Sequence, residues 1–332
     1  MKGAHHISVR SSHLRYELDI KRNITIIMGD SATGKTTLAD MIREYVQNGS
    51  DTGISLSCDA QCRLVEGNTW KEQLENLNGC IVFIDEGNRF VASREFAEEI
   101  RHSDNYYVII TRENLKELPY SVTEIYGIHS SGKYNSLEPV YHSLYRIYAL
   151  EEQDVAEPDV VIVEDSNAGY EFFSGLFGKD IKCISAKGRD NIFSMILDEE
   201  LTGRVLIIAD GAAFGAQMGN IYEVIERDKN KGLYLPESFE WLVLDSDVLD
   251  DPNIRNILAS PEDHIDSKHY FSWERYFTKL LTERSAGTYL RYSKSSLNPA
   301  YLTTGILRQV AKHMPEKIVG QTIDQPVNTE KS

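Results

Sequence analysis

The sequence is poor in cysteine and has no long hydrophobic run. Four cysteines in 332 residues, Cys58, Cys62, Cys80 and Cys183, are too few for a disulfide framework. The Cys58/Cys62 pair lacks the second pair or histidine cluster of a zinc site, so four reduced thiols are expected. No window approaches the 18 or so uncharged apolar residues that a membrane helix needs. The first ten residues contain no apolar h-region, which excludes a secretory signal and makes the cytoplasm the expected compartment. Internal repeats and low-complexity tracts are absent as well. So is net positive charge: −16 overall argues against a protein that coats nucleic acid through a uniformly basic surface.

What is present is an ordinary globular composition, 41% apolar and 26% charged, at a length that suggests two domains. The charge is unevenly spread. Residues 1–150 hold 16 basic and 20 acidic side chains, residues 151–266 hold 9 and 26, and residues 267–332 hold 10 and 5. An acidic middle joined to a basic C-terminal flank is a pattern that a functional account must explain.

Hydrophobic periodicity supplies the elements. Leu14, Tyr16, Leu18 and Ile20 alternate with polar residues as in a half-buried strand, and Ile24–Met28 is a short apolar run suited to a parallel sheet. Leu38, Met41, Ile42, Tyr45 and Val46 follow helical spacing, closed by Asn48-Gly49. Further strands are expected at 81–84 and 107–110, with a helix near 94–101 between them. The acidic, proline-containing stretch 151–158 marks a domain boundary. Beyond it a second α/β series is expected: strands at 160–163, 181–184, 205–209 and 241–244, and helices at 168–177, 191–200 and 212–227. An amphipathic helix near 271–281 and a frayed tail from about 316 complete the reading.

Gly29-Asp30-Ser31-Ala32-Thr33-Gly34-Lys35-Thr36 satisfies G-x-x-x-x-G-K-S/T between an apolar strand and an amphipathic helix. Such a loop curls its backbone N–H groups, through Thr37, around nucleotide phosphates. Lys35 is expected to span the phosphates and Thr36 to offer a hydroxyl to Mg²⁺. Ile81-Val-Phe-Ile-Asp85-Glu86 then supplies a Walker B pattern, with Asp85 in the Mg²⁺ shell and Glu86 placed to activate a water. Thr111 ends the 107–110 strand as a candidate γ-phosphate sensor.

On these motifs residues 5–150 resemble the additional-strand P-loop ATPases, including the ABC-like branch. The resemblance implies ATP and Mg²⁺ as ligands and ATP hydrolysis as the activity. Two departures are evident: only about 45 residues separate Thr36 from Ile81, and no LSGGQ-like signature occurs.

In the second half, Glu164-Asp165, Asp210, and Asp245 with Asp247 each follow an apolar run. If all three runs are parallel strands, their acids meet on one sheet edge and invite Mg²⁺ or Mn²⁺, with Glu164, Asp210, Asp245 and Asp247 as metal ligands. This arrangement resembles the Toprim domain of topoisomerases, primases and overcoming-lysogenization-defect nucleases, whose domain order is also ATPase then Toprim. Glu164 and Asp210 match that pattern, while Ala212 stands where a second Asp belongs. A receiver domain is an alternative, without the lysine that such a domain needs after its fifth strand. The flank from Ser267 to Lys317 mixes nine basic residues with aromatics such as Tyr289, Tyr292 and Tyr301, a pairing suited to nucleic-acid strands. Arg284, Arg291 and Lys294 are the expected contacts.

The fold class expected is therefore α/β: a P-loop NTPase sheet (1–150), a Toprim-like domain (151–266), a helical flank (267–315) and a tail (316–332). The function expected is ATP hydrolysis that regulates a nuclease-like domain, with phage defence or a mobile element as an analogy. The alternatives are an ATP-switched module that binds a partner protein or a second copy, and a P-loop kinase of a small metabolite.

Overall fold

The computed structural model describes residues 1–29, 34–131, 140–148, 157–198 and 201–319. It is an α/β protein of two compact units, Met1–Ala149 with Ser260–Ser272, and Leu150–Ala259 with Trp273–Ser332. The boundary expected over 151–158 falls mostly outside the described residues. Nothing in the sequence pattern pointed to residues 260–272 as part of the first unit.

In the first unit, β1 (His5–Arg10) and β2 (Leu14–Ile20) form an antiparallel hairpin. Then follow β3 (Ile24–Ile27), α1 (Lys35–Asn48), β4 (Ser55–Ser57), β5 (Gln61–Leu64), α2 (Trp70–Glu75), β6 (Cys80–Ile84), α3 (Arg94–Ile100), β7 (Tyr106–Ile110), β8 (Ile125–Ser130) and β9 (Val140–Arg146). The nine strands form one mixed sheet in the order β4-β1-β2-β9-β8-β3-β7-β6-β5. From β8 to β5 neighbouring strands are parallel.

Every residue of β3, β6 and β7 is buried, as continuous apolar runs require of strands covered on both faces. β2 keeps its alternation: Tyr16, Leu18 and Ile20 are buried while Asp19 is exposed. α1 buries Leu38, Met41 and Ile42 in the same core and ends at Gly49, whose N–H donates to the Tyr45 carbonyl from a positive φ of 69°. One charged pair lies inside this unit: Arg22 Nε is 3.6 Å from Glu124 Oε1, with side chains 6% and 0% exposed. The 260–272 segment is tied to it by backbone and side-chain bonds, Gly3 N–H to the Glu262 carbonyl at 2.8 Å and Asn23 Nδ2 to the Phe271 carbonyl at 2.7 Å.

The second unit contains β10 (Val160–Val163), α4 (Ala168–Phe177), β11 (Lys182–Ser185), α5 (Arg189–Ile196), β12 (Val205–Ile208), α6 (Met218–Arg227), β13 (Lys231–Tyr234), α7 (Phe239–Asp245), α8 (Pro252–Ala259), α9 (Trp273–Ser285), α10 (Thr304–Ala311) and α11 (Glu316–Val319). Its sheet is wholly parallel in the order β11-β10-β12-β13. The chain leaves β10 for one side and returns on the other, which puts the crevice at the carboxyl ends of β10 and β12.

Three expectations are corrected. Residues 241–244 are helical, not a strand. Ser238 caps α7 by accepting from Trp241 N–H, and the fourth strand is the short β13. The helix expected from 212 begins at Met218, after 3₁₀ turns at Gly211–Ala213 and Gly215–Gln217. The start of the expected tail is ordered, since α11 buries Ile318 and Val319. Among the described residues no helix is long and apolar enough to cross a membrane.

Candidate functional site

The glycine loop joins β3 to α1. Asp30, Ser31, Ala32 and Thr33 lie outside the described residues; its two ends are clear. Gly29 has φ 126° and Gly34 has φ 91°, both in the region that only glycine enters freely. Gly34 also has no room for a side chain, because a Cβ there would sit 2.8 Å from Tyr16 Oη and 3.2 Å from the His142 ring. Tyr16 Oη donates to the Gly34 carbonyl at 2.9 Å and its ring stacks on His142 at 4.3 Å. His142 Nδ1 pairs with Ser130 Oγ at 2.7 Å. Among the described residues its buried Nε2 has no hydrogen-bond partner, and burial lowers its pKa, which favours the neutral ring.

Lys35 opens α1 and is 4% exposed, with Nζ donating to the Gly29 carbonyl at 2.6 Å. The ammonium thus closes the loop across its mouth. Thr36 is exposed and Thr37 half-buried on the first turn. Among the described residues no side chain caps this helix end, whose first N–H groups lie at the positive end of the helix dipole.

Strand order brings the acids and Thr111 to the same edge. β7 lies between β3 and β6, and Thr111 N–H donates to the Ile27 carbonyl at 3.1 Å. Thr111 Oγ1 accepts from Glu113 N–H at 3.0 Å. Asp85 and Glu86 follow β6. Burial raises the Asp85 carboxyl above its ordinary pKa, opposed by the Glu86 N–H and the Arg43 guanidinium. Arg43 Nη2 lies 3.6 Å from Asp85 Oδ2 and 3.1 Å from Glu66 Oε2. Glu86 Oε1 is 2.6 Å from Arg112 Nε. Both acids therefore face an arginine. Thr36 and Asp85 fit the oxygen donors that Mg²⁺ takes from a protein when phosphates supply the rest.

The sequence reading missed Arg43, Arg112, Tyr16 and His142 as neighbours of this site. Arg112 was legible in principle, since it follows Thr111 on the same strand end. Tyr16 and His142 were not, because only the sheet order brings β2 and β9 beside the loop.

In the second unit the structure brings together two of the four expected ligands. Asp210 N–H donates to Glu164 Oε2 at 3.0 Å, and Asp210 Oδ1 accepts from Phe239 N–H at 3.0 Å. Asp245 and Asp247 are elsewhere engaged at the end of α7: Asp245 Oδ2 with His313 Nδ1 at 3.1 Å, Asp247 Oδ1 with Arg255 Nε at 2.8 Å. Asp165 has a structural task, accepting from the Ser166, Asn167 and Gly169 N–H groups at the start of α4. Ala212 is 2% exposed and its N–H is held by the Glu237 carbonyl.

The acids that instead join Glu164 and Asp210 are Glu240 of α7 and Glu274 of α9. Burial raises the Asp210 carboxyl strongly, and Glu274, Glu164 and Glu240 push it further up. Tyr292 Oη donates to Glu240 Oε1 at 2.7 Å, and Lys294 Nζ lies 2.6 Å from Glu274 Oε1 and 3.8 Å from Glu240 Oε1. Among the described residues no three His, Cys, Asp or Glu side chains are arranged to hold a metal ion.

The basic flank is not an open aromatic surface. Tyr292 and Tyr301 are buried, Lys294 is paired with Glu274, and Arg284 Nη1 is bonded to Asp251 Oδ2 at 3.0 Å. Tyr289 and Arg291 remain exposed. No family model matches the chain, and comparison with curated proteins finds no match.

Proposed function

We propose that the first unit binds and hydrolyses ATP and that its nucleotide state governs the second unit, read as a Toprim-like output module. One observation carries the nucleotide reading: Lys35, buried and bonded back to Gly29, opens α1 on the edge where Thr111 and the Asp85–Glu86 pair also end their strands. The placement of β7 between the loop strand and the acid strand supports the additional-strand branch in particular.

In this reading the loop N–H groups and Lys35 receive the β- and γ-phosphates. Thr36 and Asp85 would hold a Mg²⁺, which would supply positive charge to the phosphates. Glu86 accepts a proton from the attacking water once Arg112 turns from it towards the γ-phosphate, and Thr111 orients that water. Arg43 stabilises Asp85 while no cation is there.

Lys35→Ala is expected to abolish nucleotide binding, and Glu86→Gln to retain bound ATP while phosphate release stops. Undiminished turnover in both variants would refute the assignment. For the output, Ala212 and the separate pairing of Asp245 and Asp247 favour an interaction module over a nuclease. DNA and RNA incubated with Mn²⁺ should stay intact; cleavage lost in Asp210→Ala would restore the nuclease reading.

A further inference from the structure

The acidic edge of the second unit presents an electrostatic problem that its own residues solve. Glu164, Asp210, Glu240 and Glu274 converge from four different elements. Carboxylates gathered in a partly desolvated crevice repel one another and lose hydration, so they must be protonated, hydrogen-bonded or neutralised by a cation. We infer that Lys294 is the resident cation of this edge, and that the second unit works without a divalent metal.

Each acid has its own donor, and the Arg189 guanidinium acts on Glu164 beside Lys294. Glu164 Oε2 accepts from Asp210 N–H, Asp210 Oδ1 from Phe239 N–H, Glu240 Oε1 from Tyr292 Oη, and Glu274 Oε1 receives the Lys294 ammonium at 2.6 Å. Each acid thus spends at least one oxygen on a fixed donor. Mg²⁺ or Mn²⁺ needs several oxygens at about 2.0–2.2 Å in near-octahedral array, and here it would also meet a positive charge already seated among them. Position 212, where a further carboxylate would complete a metal set, is a buried alanine.

Lys294 is suited to permanent service. Its side chain is 44% exposed, so partial desolvation lowers its pKa only in part, and Glu274 and Glu240 outweigh that and raise it. Its backbone is tied in as well: the Lys294 carbonyl accepts from Ala168 N–H at the start of α4. A lysine on a C-terminal loop thereby links α4, α7 and α9 around the crevice, and a partner that binds this edge meets a structure whose net charge is set by protein groups alone.

This inference rests on the second unit by itself and stands or falls independently of nucleotide binding. The test uses the full chain, stripped with EDTA, free of nucleotide and carrying Asp85→Asn to silence the first unit, titrated with Mn²⁺ by electron paramagnetic resonance. The parent should show no Mn²⁺ site below about 100 μM, whereas Lys294→Ala, and the better space-filling Lys294→Gln, should each gain one that Asp210→Asn removes. Lys294→Arg should behave as the parent. A parent site lost on Glu164→Gln or Asp210→Asn would overturn the inference, as would folded Lys294→Ala and Lys294→Gln proteins that gain no Mn²⁺. The parent measurement needs no variant of Lys294 to fold.

Discussion

Arg112 Nε lies 2.6 Å from Glu86 Oε1, so the acid proposed to activate water is paired with a cation that stands one residue beyond Thr111. A guanidinium at that position is within the same strand-end cluster as the proposed γ-phosphate site. Arg112→Ala is expected to lower kcat for ATP hydrolysis about 10- to 100-fold with a smaller change in KM, because a charge-stabilising donor is lost in the transition state. Arg112→Lys should recover part of the loss. Steady-state phosphate release measures both, and faster turnover in Arg112→Ala would show that the arginine only restrains Glu86.

Gly34 is constrained twice, by φ of 91° and by the 2.8 Å approach of Tyr16 Oη to any added Cβ. Gly34→Ala should destabilise the first unit by roughly 1–3 kcal/mol and weaken nucleotide binding at least tenfold. Adding Tyr16→Phe removes the closest contact but leaves the His142 ring at 3.2 Å and the backbone strain, so the double variant should recover only in part. Thermal unfolding and titration with a fluorescent nucleotide report the two effects separately.

The Arg22–Glu124 pair is buried in the first unit, and Thr25 Oγ1 and Tyr126 Oη also donate to Glu124 Oε2. Arg22→Met strands a carboxylate in a desolvated site and should cost about 3–5 kcal/mol. The double variant Arg22→Met/Glu124→Leu should lose less than Arg22→Met alone, as read from urea unfolding. A double variant that is worse than either single change would mean that packing, not charge, sets the cost.

Burial pushes the Glu164 carboxyl up to about 7, against the opposing Asp210 N–H bond. A carboxyl that binds its proton more tightly when folded adds stability that is complete below about pH 4.3, its ordinary value. That stability disappears as pH rises through about 7. Asp210 is shifted in the same direction. The stability of the parent relative to Glu164→Gln should therefore fall from about pH 5 to pH 8, by roughly 1–3 kcal/mol. A difference that is flat or rises with pH would contradict the shift.

The first unit was largely legible because its signals are local: an apolar run, a glycine loop and a helical stripe follow one another without interruption. The strand that ends in Thr111 and the one that ends in Asp85–Glu86 were equally plain. What local signals could not convey is adjacency. Tyr16 and His142 are 126 positions apart, and only the insertion of β9 beside β2 stacks them under Gly34.

The second unit was harder for a different reason. Trp241–Leu244 is a four-residue apolar run, and such a run fits a buried strand and a buried helix equally well. Ser238, three residues before Trp241, was the deciding sign, since its hydroxyl caps the helix. Reading the run as a strand sent Asp245 and Asp247 to the crevice and hid Glu240, which the helix actually presents beside Tyr292 and Lys294.

Because residues 260–272 count with the first unit, the polypeptide passes from one unit to the other three times, near positions 149, 259 and 272. A protease that cuts near 149 leaves residues 1–149 joined to the remainder only by non-covalent bonds to residues 260–272, so limited digestion should release that fragment only under denaturing conditions. A gene fragment stopping at 149 would likewise yield a sheet without the segment whose carbonyls receive Asn23. Anyone separating the halves needs a discontinuous splice that keeps residues 260–272 with the first unit, rather than a truncation.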